Sequence, residues 1–580
     1  MMGRRYLAIL ATAAVPLTSH RKEAIRKKAL RLTELIDTDR LIVWSDHLHT
    51  MRSPAGHAII GEIFDRGATR PEVTLDETSW LAIANSHGRR LVERYWGNYV
   101  AFANGPDGMA VVRAPMGDLG CYYVELEDSL VIASNLDLLS ATCGPYRIAP
   151  RALALHIAYP EWRHSETCLE NIRDLRGGDR LAVSTKGINR TTLWTPWSFV
   201  GPDRMIDDPI EGARSLRNAV HTAVRALACD CDRAALLLSG GLDSSIVAAS
   251  LSAGRVDFLG LNLVGNDAAS DERRYAEMVA QRCNVELITA SFDPYLVDIH
   301  RSGSAHMPYP VHRSFTQAQD RIAAQIATRH GASLVMDGGG GDNVFFAART
   351  ISILADCLAT SGLDKRFWNT ARSLGDLAQT GQWSLAWRAF QRSWRRSPAP
   401  RKAASDTFLS EHARTLIQEA PAHPWFVPHA SVLPGRASHV SLLVPAQNMV
   451  EAVNAQASQR TISPLASQPV VEACLRIPSW RWLAPGRDRA IARAAFANDL
   501  PEAIIARRSK GTPNGFVAAI FDQQREAIRE MLLGGHLAEM GLIDEGKLSV
   551  ELRAAGPVRG LNFVRVMELV DAEAWMALHH

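Results

Sequence analysis

The segment LLLSGGLDSSIVAAS, residues Leu236–Ser250, joins an apolar run, two glycines, an aspartate beside hydroxyl groups and a second apolar run. The first run predicts a strand over Ala234–Leu238, and the second predicts a helix that begins near Ser244 and stops at Gly254. Ligands of doubly wound sheets bind at the carboxyl ends of strands. The loop between this strand and this helix is therefore expected to hold a ligand.

The composition of this loop indicates an anion. Glycines allow backbone N–H groups to approach a ligand closely, hydroxyl groups add donors, and a helix N-terminus adds partial positive charge. The predicted phosphate or pyrophosphate contacts are Ser239, Gly240, Gly241, Ser244 and Ser245. The lysine and the spacing of G-x-x-x-x-G-K-[ST] are absent from the loop, which disfavours a Walker-type kinase or NTPase.

Asp243 lies in the middle of the same loop. A carboxylate repels phosphate unless a cation lies between them, so the loop predicts Mg²⁺ bound to an oxyanion. The alternative is a plain structural turn in which Asp243 or Ser244 caps the helix. Strand, loop and helix fall in register, which favours the binding interpretation.

Outward from this loop, apolar strands alternate with helices. This order predicts a doubly wound parallel sheet with helices on both faces, followed by a mostly helical region from Phe346 onward. The predicted helices are Ile210–Leu227, a helix within SDERRYAEMVAQRC (residues 270–283) and Phe315–Arg329, and the further strands are Phe258–Val264, Val285–Thr289 and Ser333–Met336.

The N-terminal part has an α+β pattern with many short strands punctuated by turn residues. The predicted strand stretches are Tyr6–Ala11, His57–Phe64, Tyr99–Gly105, Met109–Pro115, Cys121–Ser134 with a hairpin turn, and Asp179–Trp194. A Pro- and Asp-containing linker, Thr195–Pro209, follows. We therefore divide the chain into domains 1–200 and 208–580. The first nineteen residues also resemble a secretory signal, but the strand and a cytoplasmic location are favoured because the chemistry argued here uses cytosolic ATP.

Composition limits the function further. The chain has 580 residues, 47% hydrophobic and 22% charged, as in soluble globular proteins of more than one domain. A net charge of +3 gives no reason to expect nucleic acid or a membrane as the main partner. No apolar run is long enough to span a bilayer. The eight cysteines are scattered, and Cys229 and Cys231 form a lone C-x-C, which indicates reduced thiols rather than a zinc site.

Three stretches carry a resemblance to a known family. SGGLDSS resembles the pyrophosphate loop of ATP-pyrophosphatases in the form found in the asparagine synthetase family. VMDGGGGDNVFF (Val335–Phe346) is similar to the family's S-G-E-G-x-D-E loop, and LPEAIIARRSKGTPNGF (Leu500–Phe516) resembles its L-P-x-x-I-x-x-R-x-K segment. The resemblance implies an ATP- and Mg²⁺-dependent ligase that adenylates a carboxylate, releases pyrophosphate and forms an amide with an amine.

The resemblance also implies roles for single residues. Asp342 falls on the second magnesium-binding aspartate beside Asp243, Gly338 on a backbone contact to the nucleotide, and Lys510 on a lysine that stabilises developing negative charge. Leu236 and Leu263, at strand ends, are candidates for the adenine pocket. His306, His312 and Arg313 lie where an acceptor is expected to bind, but a structural role is equally expected, so they are not included among the catalytic residues.

The stretch Leu91–Leu139 looks like the core of the glutaminase domain that precedes asparagine synthetase domains. The implied fold is an Ntn-type glutaminase-like sandwich followed by an adenine nucleotide α-hydrolase-like domain with helical additions. That glutaminase uses a cysteine at its processed N-terminus. This chain begins Met1-Met2-Gly3-Arg4 and has no cysteine before Cys121, so we expect a glutamine amidotransferase-like domain without glutaminase activity.

The second loop departs from the family at two positions: Gly339 stands in place of the glutamate, and Asn343 in place of the following acid. The glycine opens space for a bulkier acceptor. Both this change and the missing cysteine resemble the lasso peptide cyclases, which join an Asp or Glu side chain of a precursor peptide to its N-terminal amine as a macrolactam. A precursor peptide, a leader peptidase and a leader-binding protein are the implied partners.

Three other functions stay open on the sequence. The first is asparagine synthesis from aspartate with ammonia or glutamine. The second is a β-lactam-type cyclase that acts on a small molecule. The third is a non-catalytic scaffold that binds nucleotide or peptide, and joint retention of Asp243, Asp342 and Lys510 argues against it.

Overall fold

The structure is a computed structural model of the 580-residue chain. It describes residues 5–12, 17, 22–23, 26–27, 32–46, 49–66, 73–105, 108–163, 166–184, 186–265, 271–291, 293–394, 404–419, 421–452, 459–508, 513–553 and 560–579.

The N-terminal part forms two six-stranded antiparallel sheets packed face to face, with orders β10-β8-β9-β1-β3-β2 and β12-β11-β7-β6-β5-β4. Their strands are β1 (Tyr6–Ala11), β2 (Thr33–Asp37), β3 (Leu41–Ser45), β4 (Thr50–Arg52), β5 (Ala58–Asp65), β6 (Tyr95–Gly105), β7 (Gly108–Arg113), β8 (Tyr122–Glu125), β9 (Ser129–Ala133), β10 (Arg173–Asp174), β11 (Asp179–Ser184) and β12 (Gly187–Thr192).

Strand β1 explains the continuous apolar run near the start of the chain. Tyr6, Ala8 and Leu10 face the second sheet, whereas Leu7 and Ile9 face helices on the outer side. A strand covered on both faces needs apolar residues at every position. The strand predicted over Tyr6–Ala11 is confirmed, with β3 and β9 as its antiparallel neighbours.

Helices cover the outer faces of both sheets, giving four layers. Trp80 and Leu91 of helices α1 (Glu77–Asn85) and α2 (Arg89–Arg94) share a core with Tyr99 of β6. Helices α3 (Leu136–Cys143) and α4 (Pro150–Ala158) cover the first sheet. The predicted linker contains two short 3₁₀ turns, at Pro196–Phe199 and Pro202–Arg204.

The C-terminal part is built on a five-stranded parallel sheet of order β15-β14-β13-β16-β17. Its strands are β13 (Ala234–Leu237), β14 (Phe258–Val264), β15 (Leu287–Ser291), β16 (Leu334–Met336) and β17 (Arg460–Ile462), and its first helices are α5 (Pro209–Leu227), α6 (Leu242–Ala253), α7 (Arg273–Cys283) and α8 (Thr316–Arg329). The predicted parallel sheet is confirmed. Its fifth strand, β17, was not predicted, because three residues are too few to show a strand pattern.

Side chains of β13 alternate between the two faces of this sheet. Leu236 packs into the core that contains Ile246 of α6 and Val279 of α7, whereas Ala235 packs with Ala323 of α8 on the opposite face. The predicted layout of helices on both faces is therefore confirmed. The sheet direction also puts the carboxyl ends of β13, β16 and β17 at one edge, where their loops meet.

The remainder is mostly helical, as predicted. The helices are α9 (Gly341–Val344), α10 (Ser352–Ser361), α11 (Lys365–Ala378), α12 (Gln382–Trp394), α13 (Glu411–Leu416), α14 (Pro434–Glu451), α15 (Gln468–Arg476), α16 (Ala490–Ala495), α17 (Glu502–Ala506), α18 (Asn514–Gln523), α19 (Arg525–Leu533), α20 (His536–Glu539), α21 (Glu545–Arg553) and α22 (Asn562–Met576). None of the described helices has the length and apolar character required to cross a membrane.

The two parts of the chain share apolar cores and buried ion pairs. Side chains of α18 to α22, including Trp575, lie in one core with Leu7 and Ile9 of β1. Arg113 of β7 contacts Asp174 at 3.1 Å and Glu451 of α14 at 3.0 Å, and all three side chains are buried. These contacts fix the N-terminal sandwich against helices of the C-terminal part.

Candidate functional site

The first glycine loop follows β13 and begins helix α6. Gly240 has a φ of +72°, and a Cβ there would lie 2.5 Å from the backbone N of Ala276. Only glycine satisfies both conditions. The Ser239 and Ser244 hydroxyl oxygens lie 3.2 Å apart. The predicted strand, turn and helix are thus present, with two of the predicted hydroxyl groups directed to one place.

The Ser244 and Ser245 hydroxyls both donate to the Gly241 carbonyl within the first turn of α6, at 3.4 Å and 2.7 Å. The shorter bond, from Ser245, shows that this hydroxyl is used by the helix, and its predicted contact with pyrophosphate stays a prediction.

The second glycine loop, Gly338–Asp342, presses directly on the first. A Cβ at Gly338 would lie 2.5 Å from the backbone N of Ser244, and a Cβ at Gly341 would lie 2.6 Å from Cγ of Asp243. The glycines at these two positions permit close backbone packing, so they do more than allow a turn. This contact brings the two predicted magnesium ligands to the same place.

Asp243 and Asp342 converge on one cationic group. Nη1 of Arg489 lies 3.1 Å from Oδ1 of Asp243 and 2.6 Å from Oδ1 of Asp342. Burial lowers the pKa of this guanidinium, but the two carboxylates and Asp488 outweigh it, and the net pKa is raised. The site holds a cation between two carboxylates from two loops.

The two carboxylates of this arrangement are also suitable ligands for a magnesium ion. Within the described part of the chain, no set of three or more His, Cys, Asp or Glu side chains is placed to hold a metal. Mg²⁺ commonly uses one or two protein carboxylates and takes its other ligands from water and substrate phosphates. Asp243 and Asp342 supply such a pair, and when bound the ion would neutralise phosphate charge.

A second arginine, Arg507, holds the first glycine loop through its backbone. Nη1 of Arg507 donates to the Gly240 carbonyl at 3.0 Å, its guanidinium forms an ion pair with Glu272, and it lies 4.0 Å from the ring centre of Tyr275. These contacts fix the glycine turn and leave a buried positive charge beside it. An arginine here favours an anionic ligand in the loop.

The predicted adenine contacts occupy different environments. Leu236 is fully buried in the centre of the sheet between Gly260 and Met336. Leu263 is half-buried near the carboxyl end of β14. Their role in the adenine pocket stays a prediction. Lys510 lies outside the described residues, so its role stays a prediction as well.

A cavity of 470 Å³ adjoins the second glycine loop. One wall comes from the N-terminal sandwich, with Asn98, Asp118 and Glu161, and the other from the edge of the parallel sheet, with Asp337 and Ser463. The cavity is therefore an interdomain space that ends beside the nucleotide loops. Its wall is mixed in charge because Arg313, Asp320 and Arg460 also line it.

Asp337 lines the cavity and directly precedes the second glycine loop. It follows β16 directly, and Oδ1 accepts hydrogen bonds from the Ser463 hydroxyl at 2.6 Å and the Gly339 N–H at 2.9 Å. Burial raises the pKa of its carboxyl group above the ordinary value, although these two hydrogen bonds oppose the increase.

The charged and titratable side chains near the predicted acceptor position make contacts within the fold, although Nδ1 of His312 is buried without a hydrogen-bond partner among the described residues. Burial lowers the pKa of His306 to about 4. Nε2 of His312 lies 3.5 Å from Oδ2 of Asp320. Arg313 lies 3.1 Å from Glu568. His312 and Arg313 nevertheless line the cavity, so an acceptor contact by them is compatible with these structural contacts.

Sequence reasoning missed Arg489, Arg507 and Asp337. Arg489 adopts a φ of +53°, which a local pattern does not predict for arginine. Arg507 lies in the LPEAIIARRSK stretch, in which a role was predicted for Lys510 and none for this arginine. Asp337 directly precedes four glycines, and an acid at the end of a predicted parallel strand was the available signal.

Two of the solved structures that this chain resembles are remote in sequence. A glutamine phosphoribosylpyrophosphate amidotransferase from B. subtilis, complexed with ADP and GMP, is 11% identical, and the match covers 49% of this chain and 75% of that one with a TM-score of 0.20. A structure titled as the allosteric regulatory enzyme of purine biosynthesis is 10% identical, covering 51% and 76%, again with a TM-score of 0.20. No protein of curated function matches the sequence.

A family comparison is decisive. The model of the asparagine synthase family matches residues 215–577, more than half of the chain. That range contains both glycine loops, Arg489 and the cavity wall contributed by Asp337. The chain therefore belongs to the asparagine synthase family and is, in general terms, an ATP-dependent ligase that forms amide bonds.

Proposed function

We propose that the protein activates an Asp or Glu side chain of a precursor peptide with ATP and joins it to the N-terminal amine of that peptide. The products are a macrolactam, AMP and pyrophosphate. A leader peptidase and a leader-binding protein are the expected partners, and the cytoplasm is the expected location.

The nucleotide loops supply the activation step. In this proposal Ser239, Ser244 and the backbone of Gly240 and Gly241 bind the pyrophosphate portion of ATP; the two hydroxyl oxygens lie 3.2 Å apart at the N-terminus of α6, which favours an anion. Asp243 and Asp342 would hold Mg²⁺, which would neutralise phosphate charge. Arg489, which lies between these acids, would then be available to a phosphate oxygen.

The interdomain cavity is the observation that most supports an acceptor larger than ammonia. Its 470 Å³ volume is of the size found for drug-sized ligands rather than for ammonia. Gly339 forms part of the loop at its inner end, where a Cβ would lie 2.8 Å from Cε of Met449. A glutamate at this position would intrude on that space, so the glycine favours a bulky acceptor.

The N-terminal sandwich supports this proposal by its chemistry. The sequence before β1 contains no cysteine, and the first cysteine of the chain, Cys121, is completely buried. Burial raises the pKa of the Cys121 thiol to about 12, so it is a poor nucleophile. We propose that the sandwich acts as a wall of the cavity and does not hydrolyse glutamine.

Product analysis by mass spectrometry tests the proposal. The protein is incubated with Mg·ATP and linear peptides that carry a free N-terminal amine and one internal Asp or Glu. A product lighter by one water, formed together with AMP, is expected from the wild type and not from Asp243→Ala. Asparagine formed from L-aspartate with ammonia would contradict the peptide substrate. Asparagine formed with glutamine would also contradict the inactive glutaminase domain.

A further inference from the structure

We infer that Asp337 takes the proton from the acceptor nitrogen during amide formation, and that the cavity admits the acceptor as a primary amine larger than ammonia. This inference rests on the proposed function, because it concerns the second half of that reaction. It assigns a catalytic role to a residue outside the nucleotide loops.

The geometry around Asp337 favours such a role. Both of its hydrogen bonds, from Ser463 and from the Gly339 backbone, reach the same oxygen, Oδ1. Among the described residues Oδ2 accepts no recorded hydrogen bond, and the side chain lines the cavity. One oxygen is thus held in place while the other remains available to a ligand in the cavity.

The position of Asp337 joins the two halves of the site. Gly338, the next residue, packs against Ser244 of the first loop, where pyrophosphate is expected. The activated carbonyl carbon would therefore form at the inner end of the cavity. An amine that enters through the cavity reaches Asp337 and this carbon together.

A side chain at residue 339 would compete for the space around Asp337. A Cβ there would lie 2.9 Å from Oδ1 of Asp337 and 2.7 Å from Oγ of Ser463, so these side chains would have to shift. In the loop pattern S-G-E-G-x-D-E, residue 337 falls on the serine and residue 339 on the glutamate. In this chain the acid is residue 337 and the small residue is residue 339. The carboxylate therefore lies two positions earlier than in the pattern.

The surroundings of Asp337 favour a carboxylate that accepts a proton more readily than an ordinary aspartate. Its raised pKa brings a carboxylate closer to the range in which general bases work best. The nearby acid Asp320 raises it further. Other charged or titratable groups facing the cavity are Asp118, Glu161, His312, Arg313 and Arg460.

The neutral amine nitrogen attacks the activated carbonyl carbon. The N–C bond forms, the π pair of the C=O bond moves onto the carbonyl oxygen, and the nitrogen becomes positively charged. Oδ2 of Asp337 takes one N–H proton. The C=O double bond then re-forms as the bond between that carbon and the AMP oxygen breaks, and the electron pair of the broken bond leaves with AMP. The proton on Asp337 passes to water in the cavity.

The test separates the two half-reactions in the full-length protein. Carboxylate-dependent ATP–pyrophosphate exchange reports activation, and mass spectrometry reports amide formation. The probes are linear peptides with a free N-terminal amine and one Asp or Glu, and L-aspartate with ammonia. Asp337→Asn should reduce amide formation about 10²- to 10⁴-fold and leave exchange within about threefold of the wild type. Asp376→Asn, an exposed acid on α11, should change neither.

Two further readouts distinguish a proton acceptor from a structural residue. The rate of amide formation in the wild type should increase as pH increases through the raised pKa of Asp337, and Asp337→Asn should lack this increase. Added formate should restore part of the activity of Asp337→Ala. Equal loss of exchange and amide formation, or amide formation within threefold of wild type in Asp337→Asn, would overturn the inference.

These assays give different results if the role of Asp337 is wrong and if the proposed peptide substrate is wrong. If L-aspartate and ammonia yield asparagine, the peptide substrate is wrong, and the effect of Asp337→Asn is then measured with ammonia as acceptor. A large loss there would support proton transfer by Asp337 and contradict the larger amine. A macrolactam formed equally well by Asp337→Asn would support the peptide substrate and contradict the role of Asp337.

Discussion

The two glycine loops and the interdomain cavity lie side by side, but they are built differently. The first loop is a short continuous segment, Ser239–Ser245, flanked by a strand and a helix. The cavity collects Asn98, Glu161, Asp337 and Ser463 from distant parts of the chain. The proposed activation chemistry is thus encoded locally, whereas the proposed choice of acceptor depends on how two domains meet.

The largest expected effect tests the glycine loops. Asp243→Asn removes one of the two carboxylates proposed to hold Mg²⁺. It should reduce the rate of ATP–pyrophosphate exchange on the order of 10³-fold, because a fixed charge next to charge that develops in the transition state contributes this much to the rate. Asp257→Asn is the matched control, since Asp257 immediately precedes β14 at the opposite end of the sheet. Exchange within tenfold of wild type in Asp243→Asn would show that Asp342 alone suffices.

The next largest effect tests the domain interface, through the free energy of unfolding. Glu451→Gln leaves the buried arginines Arg113 and Arg163 with Asp174 as their one acidic partner among these contacts, and so with one excess positive charge at the domain interface. We expect a loss of about 3 kcal/mol in the free energy of unfolding at pH 7, as for other broken buried pairs. Urea denaturation measures it. Glu411→Gln, in an exposed pair with Arg414, should change the free energy by less than about 0.5 kcal/mol.

The pH dependence of that loss has a definite sign. Burial raises the pKa of Glu451, but Arg113 and Arg163 outweigh it, and the net pKa is lowered. The stabilisation is therefore complete above the unfolded value of about 4.3 and is lost as pH falls through the folded pKa. The difference between wild type and Glu451→Gln should shrink on acidification. A difference that grows instead would contradict the assigned ionisation.

The smallest expected effect tests the contact between the two loops. Gly338→Ala places a Cβ 2.5 Å from the backbone N of Ser244, so the loops must separate. We expect a loss of about 1–3 kcal/mol in stability and weaker ATP binding, measured by thermal denaturation and isothermal titration. Gly381→Ala, where no atom lies within 4 Å of the new Cβ, is the control. An unaffected ATP affinity would separate loop packing from nucleotide binding.

The sequence predicted most of the framework that carries this site. Strand β1 and the first four strands of the parallel sheet follow from apolar runs and turn residues, because both are local signals. Strand β17, Arg460–Ile462, was missed because its three residues show no periodicity. It becomes a strand by pairing with β16, a neighbour more than a hundred residues earlier in the sequence.

The sequence by itself determined the glycine loops and the two acids Asp243 and Asp342, because strand, turn and helix are adjacent in the chain and their chemistry follows from that adjacency. Only the tertiary structure decided what surrounds them. Arg489 reaches Asp243 from 246 residues away, and Asp337 owes its raised pKa to burial. Burial and long-range ion pairs arise only when distant segments pack, so no local pattern records them.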